Sequence, residues 1–321
     1  MKLFDPKAYH LHTQRAKKTF HNHNFLFEHG GNELVSRLQD LNKSFTRMLN
    51  LSPHPLPCLH QREEEKSYEN DVFLRNNSSL LDSCFCRNDD GVEREGEEKN
   101  SSTLPNSHRR VIPTPPIVIP AKAGTQDKQC ISKKCSSFLN FNSLKDHLSL
   151  EEKLPYPEAS FDLILSCLQA HWVNHLPGLL KSIHTSLEEE GLFLGALWGG
   201  QTLFELRESL LQAELQLTGG ASPRMAPLLH PADAPQLLSR TGFFSPVVDT
   251  ETITVTYPTL FTLLKDLRGM GETNKLHDRK KTFTSRLLFE KAEEVYSNTF
   301  GNPDHTLPAT FEIIYLTGWK A

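Results

Sequence analysis

Phe161-Asp162-Leu163-Ile164-Leu165-Ser166 and Leu192-Phe193-Leu194-Gly195-Ala196-Leu197-Trp198 are apolar runs of strand length, and they bracket residues 176–190. Within that bracket Leu179, Leu180, Ile183 and Leu187 recur at spacings of one, three and four. Runs without polar alternation predict strands covered on both faces, and the recurring leucines predict a helix that covers one of them. Gly191 is read as the stop of that helix. Working outward, the pattern predicts a helix over 202–217, strand segments at Val247-Val248 and 252–257, a helix from Pro258 to Leu267, and a last strand over 311–319. Upstream, Leu34, Val35, Leu38 and Leu41 mark a helix, and Met48-Leu49-Asn50-Leu51 a short strand. Alternating strands and helices of this kind define an α/β fold, a doubly wound sheet with helices on both faces.

A different composition separates these parts. Residues 52–149 open with Ser52-Pro53-His54-Pro55-Leu56-Pro57 and continue through charged runs such as Glu93-Arg94-Glu95-Gly96-Glu97-Glu98-Lys99. Such a stretch buries too little apolar area to offset chain entropy, so it is expected to be a disordered insertion between 1–51 and 150–321. The prolines around Val111-Ile112 and Ile117-Val118-Ile119 predict extended coil and not a central strand. The 321 residues carry a net charge of −4, which gives no field for nucleic acid, and no apolar run is long enough for an integral membrane segment. Lys2, Lys7, Arg15, Lys17 and Lys18 face one acid, Asp5; a solvated first helix is the reading preferred to a targeting presequence. Cys58, Cys84, Cys86, Cys130, Cys135 and Cys167 lack metal-ligand spacing, and are read as reduced thiols with no metal site.

Several words go beyond periodicity. Leu154-Pro155-Tyr156-Pro157-Glu158-Ala159-Ser160-Phe161-Asp162-Leu163-Ile164 and His171-Trp172-Val173-Asn174-His175-Leu176-Pro177 resemble elements of type 11, class I S-adenosylmethionine-dependent methyltransferases. Gly199-Gly200-Gln201-Thr202-Leu203-Phe204-Glu205-Leu206-Arg207 is similar to a word of the complex I assembly factor 5 subfamily. So are Gly219-Gly220-Ala221-Ser222-Pro223-Arg224, Asp249-Thr250, the run from Asp266 to Asn274, Pro308-Ala309-Thr310 and Phe20-His21-Asn22-His23-Asn24-Phe25-Leu26. The resemblance implies a Rossmann-like sheet that cradles S-adenosylmethionine. It also implies a protein substrate, either a respiratory complex I subunit or an acyl carrier. The activity it implies is methylation or, for the mitochondrial member, arginine hydroxylation.

The sequence departs from that family where the first strand ends. A glycine-rich loop should follow there, in conformations and close approaches that a Cβ forbids. Instead Asn50 stands in place of the acid, and no glycine but three prolines follow before Cys58. The second and third strands of the family have no visible counterpart between Leu51 and Leu150. Val118-Ile119-Pro120-Ala121-Lys122-Ala123-Gly124-Thr125-Gln126 resembles a translated mobile palindromic repeat of bacterial genomes, so an inserted segment and a bacterial cytoplasmic location are expected, with the mitochondrial matrix as the lesser reading. A non-catalytic remnant is therefore a third reading beside methyltransferase and hydroxylase.

The candidate cofactor-binding residues are Asn50, Glu151, Glu152, Ser166, Cys167 and Leu168, at strand ends where doubly wound sheets bind ligands. His171, Trp172, Gly199, Gly200, Asp266 and Glu272 are the candidates for substrate contact; packing or surface ion pairs are the alternative for each. His21 and His23 are read as a lid or a helix cap. No nucleophile–base–acid order suggests a hydrolase, and no catalytic residue is assigned.

Overall fold

The strand at Phe161–Cys167, β4 below, shows why this chain forms a covered sheet. Leu163, Leu165 and Cys167 enter one apolar cluster, and Ile164 enters a second on the opposite face. The same period-two division runs through Leu187–Trp198 (β5), where Leu192, Leu194, Ala196 and Trp198 face the first cluster and Phe193 and Leu197 the second. The computed structural model describes residues 2–52 and 153–321, and the backbone of 111–112 and 135–140. The chain divides into two compact units, Met1–Leu59 with Arg110–Ala321 and His60–Arg109. All described residues belong to the first.

The strands are β1 (Phe45–Asn50), β2 (Val111–Ile112), β3 (Cys135–Asn140), β4, β5, β6 (Phe244–Tyr257) and β7 (Leu307–Trp319), in the spatial order β2-β6-β7-β5-β4-β1-β3. Pairings β3–β1, β1–β4 and β4–β5 are parallel, whereas β5–β7, β7–β6 and β6–β2 are antiparallel. The first cluster is closed by helices α2 (Phe25–Asp40), α4 (Phe204–Thr218), α6 (Leu260–Met270) and α7 (Arg286–Phe300). The second is closed by α3 (Leu176–Ser186) and α5 (Ala234–Arg240). Helix α1 (Pro6–Lys17) starts at Asp5, whose carboxylate accepts the N–H groups of Lys7 and Ala8. The α/β sheet with helices on both faces is as the apolar runs predict.

Three local expectations change. Helix α3 ends at Ser186, and 187–190, read as helix, enter β5 instead, with Leu187 paired to Phe161. The apolar Leu187 serves either element, and the neighbouring strand takes it. The stretch 52–149, read as a mostly disordered insertion with no visible strand, contains β3, whose backbone pairs in parallel with β1 from Phe45–Cys135 to Asn50–Asn140. A six-residue strand bounded by polar sequence lacks a pattern of its own and becomes a strand through its ladder. Val111-Ile112, read as coil, makes a short edge pairing with Val255 and Thr254, the place a proline-flanked segment can pair. The other expectations for 53–149 lie outside the described residues.

The order of the strands places the site. From β1 the chain reaches β3 on one side and later β4 on the other, so the carboxyl ends of β1 and β4 lie at a topological switch point, where a crevice opens in sheets of this kind.

Candidate functional site

At the end of β1 the polar groups are taken up locally. Asn50 Oδ1 accepts the Ser52 N–H at 3.1 Å, and Ser52 Oγ accepts the Cys167 N–H at 2.9 Å. Asn50 and Ser52 are both buried. The thiol of Cys167 is buried against the Phe27 carbonyl, and burial pushes it up to about 12, so it stays protonated at neutral pH. The end of β4 is furnished differently. Among the described residues, the buried Ser166 Oγ and Gln169 Oε1 have no hydrogen-bond partner. Between them Leu168 has φ +47°, a conformation that costs a bulky residue about 1–3 kcal/mol and that clusters at functional sites. Its N–H donates to the Ala196 carbonyl, which holds the turn on the sheet.

Beyond this turn a single 3-10 turn, Ala170–Trp172, carries two aromatic residues onto Glu272, one residue past the αL cap of α6 at Gly271. Glu272 accepts His171 Nε2–H at 3.1 Å and the Trp172 indole N–H at 3.0 Å. Lys275 Nζ stands 3.7 Å from Glu272, lies 3.9 Å from the Trp172 ring centre and 4.7 Å from that of Tyr9. Burial opposes the charge of Glu272, but Lys275, His171 and Trp172 outweigh it and hold the carboxyl down to about 2. Burial brings Lys275 down to about 8 against the pull of Glu272, and lowers His171 as well. His171 Nδ1, also buried, has no partner among the described residues. The N-terminal segment packs across this group: Asp5 N–H donates to the Lys275 carbonyl, His277 N–H to the Leu3 carbonyl, and Phe4 N–H to Asn174 Oδ1.

His171, Trp172 and Glu272 line a cleft whose walls are Trp198, Leu203, Met225, Leu228, Met270 and Phe311. Arg224 and Asn274 reach it from the side. An apolar cleft with a few convergent polar groups is the usual form of a ligand site. A smaller cavity under Tyr9, Gln169 and Lys275 shares Trp172 and Glu272 with it.

Of the residues expected from the sequence, the structure therefore brings His171, Trp172 and Glu272 together. Gly199 and Gly200 sit outside the cleft lining; a Cβ on Gly199 would stand 2.2 Å from Glu312 Oε2, so its small size serves the packing of β7. Asp266 is buried and hydrogen-bonded to His23 Nδ1 at 2.7 Å, also away from the cleft lining. The word from Gly219 to Arg224 folds onto Glu214, which accepts from Ser222 and from two nitrogens of Arg224 and is held down to about 2 chiefly by Arg224. Glu151 and Glu152 lie outside the described residues. Lys275, Tyr9 and Gln169 were not singled out in the sequence. Lys275 directly follows the matched word that ends at Asn274, but nothing in a chain pattern marks a lysine as buried.

Residues 133–195 match the family described as "Methyltransferase domain", and the chain is similar to methyltransferase-domain proteins over that segment. The chain is a relative, more particularly, of the arginine-hydroxylase NDUFAF5 proteins. It is 44% identical over 170 residues to the one of Danio rerio, covering 53% of each chain, and 42% identical over 204 residues to that of Homo sapiens, covering 60% of this chain and 59% of the relative. It is 35% identical over 166 residues to malonyl-[acyl-carrier protein] O-methyltransferase of Xylella fastidiosa (strain M23), covering 52% and 54%. The chain thus spans between about half and three fifths of these relatives' lengths. The two NDUFAF5 relatives are named as mitochondrial, which overturns the expected bacterial cytoplasmic location. Among the described residues no helix is long and apolar enough to cross a membrane.

Proposed function

We propose that this protein modifies an arginine side chain of a protein partner in the Trp198–Phe311 cleft, as an S-adenosylmethionine-dependent enzyme. The observation that carries the reading is the largely shielded Glu272 carboxylate in a cleft of mostly apolar walls, held by the Trp172 indole and the His171 ring. A planar cation stacks on such rings and turns its N–H groups toward a carboxylate or an imidazole nitrogen. The cofactor fits the β4 side of the switch point, where Ser166 and Gln169 present buried polar atoms that would hold it. It does not gain the usual backbone cradle on the β1 side, where Asn50 and Ser52 bond within the protein. When bound, S-adenosylmethionine supplies an electrophilic methyl group. The apolar walls exclude water, and the cleft holds the acceptor nitrogen in line, which is most of what methyl transfer needs.

Hydroxylation of the same arginine is the second reading, favoured by the names of the 42–44% identical relatives. A respiratory complex I subunit is the partner that the family resemblance suggests for either reaction. Co-expression with such a subunit, followed by mass spectrometry, separates them: a gain of one methylene supports methyl transfer and a gain of one oxygen supports hydroxylation. An unmodified partner, together with no binding of S-adenosylmethionine by calorimetry, would leave a non-catalytic scaffold.

A further inference from the structure

We infer that Glu272 and His171 form a carboxylate–imidazole dyad in which His171 Nδ1 is the catalytic proton acceptor of the cleft. The inference deepens the arginine-modifying reading and rests on it.

The geometry assigns the two ring nitrogens different tasks. Nε2 lies 3.1 Å from a carboxylate oxygen of Glu272, and the carboxylate can only accept, so Nε2 carries the proton. Nδ1 is then left with a lone pair. It is buried on a residue that lines the cleft, and meets no donor among the described residues. An acceptor left in that state costs about 1–3 kcal/mol, which the fold can recover when a ligand N–H arrives. The ring is fixed: it packs against Trp172 at 5.1 Å and Trp198 at 6.3 Å between centroids. Glu272 is itself fixed by the Trp172 indole and by Lys275. The charged groups around the imidazole are thus Glu272 and Lys275, with Arg224 on the cleft wall. Burial favours the neutral ring, the form able to take a proton.

The step balances simply. In methyl transfer the nitrogen–carbon bond would form as the carbon–sulfur bond of a bound sulfonium breaks, its electron pair leaving on sulfur as a neutral thioether; the N–H proton of the substrate nitrogen passes to Nδ1, and the electron pair of that N–H bond stays on the nitrogen. The imidazolium so formed keeps its Nε2–H on the Glu272 carboxylate, whose charge stabilises it, and the proton leaves to water with the product. Glu272 and Lys275 act through His171 and are positioning residues.

Two measurements test this on the whole chain. The first is the tautomer of His171, read from imidazole nitrogen–proton NMR correlations of the protein without substrate. The protonated nitrogen should be Nε2; a protonated Nδ1 at neutral pH overturns the dyad whether or not any activity is found. The second is modification of an arginine-containing peptide. His171→Gln retains a donor toward Glu272 but lacks the base, and should lower kcat by about 100-fold, the range expected for a lost general base, with a much smaller rise in KM from the lost hydrogen bond. Added imidazole should restore part of the rate. Glu272→Gln should lower it by about 10-fold. Full activity in His171→Gln would overturn the proposal while leaving the arginine reading in place. An inactive wild-type protein that shows the Nε2–H tautomer would count against the arginine reading and not against the dyad.

Discussion

The two strand ends at the switch point are neighbours in the sheet, yet their polar groups have opposite fates. At β1, Asn50 and Ser52 bond to the Ser52 and Cys167 amides, so the end of the strand is closed within the protein. At β4, Ser166 Oγ, Gln169 Oε1 and, a turn later, His171 Nδ1 are buried without partners among the described residues. A group that spends its hydrogen bonds on the fold contributes to stability, and one that is buried with capacity to spare contributes to recognition. The contrast teaches that two neighbouring strand ends can differ in what their polar groups are free to do: the β1 end is bonded within the protein, and the β4 end, beside the family words, keeps buried hydrogen-bonding capacity.

The largest effect should come from the cluster that follows β4. Glu272→Ala removes the counter-charge of a buried lysine, and unfolding in denaturant should show a loss of about 3–5 kcal/mol. A loss as small as a surface substitution would mean that the cluster is not held together by that carboxylate. The acid limb of the stability–pH profile sharpens the point. With the folded value of Glu272 held near 2, below its usual 4.5, its contribution is complete above about 4.5 and is lost as pH falls toward 2. Glu272→Gln should flatten that limb, leaving the part due to Glu214, which is held down over the same window.

Ser52→Ala probes the other strand end. It strands the Cys167 amide and should lower stability by about 1–3 kcal/mol, with the affinity for S-adenosylmethionine little changed in titration calorimetry. Ser166→Ala should show the reverse, a stability change within about 0.5 kcal/mol and weaker cofactor binding, because the hydroxyl it removes serves no bond within the protein. Equal behaviour of the two serine variants would break the contrast between β1 and β4.

Much of this was legible before any coordinates. The strands β4 and β5 and the helix between them are visible because each buries its apolar residues with the period of its own element, and β7 is visible for the same reason. Helix α7 left a signal that was not used: Leu288, Ala292, Val295 and Tyr296 recur at helical spacing, and Ser285 caps the first turn by accepting the Leu288 N–H. Family words pointed to His171, Trp172 and Glu272, which the structure brings together at the cleft, and also to Asp266 and Gly199-Gly200, which lie outside its lining. A word marks a position as constrained and does not say whether a ligand or a neighbouring side chain constrains it.

Periodicity and local chemistry act between residues a few places apart, and they were enough to settle an α/β sheet and most of its helices. Contacts across the whole chain settled the rest. The backbone of β3 is a strand because β1 offers it a ladder. Lys275 is buried because Tyr9, more than two hundred residues earlier in the chain, and Trp172 close over it. Glu272 is ionised within the fold because a histidine, an indole and an ammonium converge on it from two segments about a hundred residues apart, and no local pattern records that convergence.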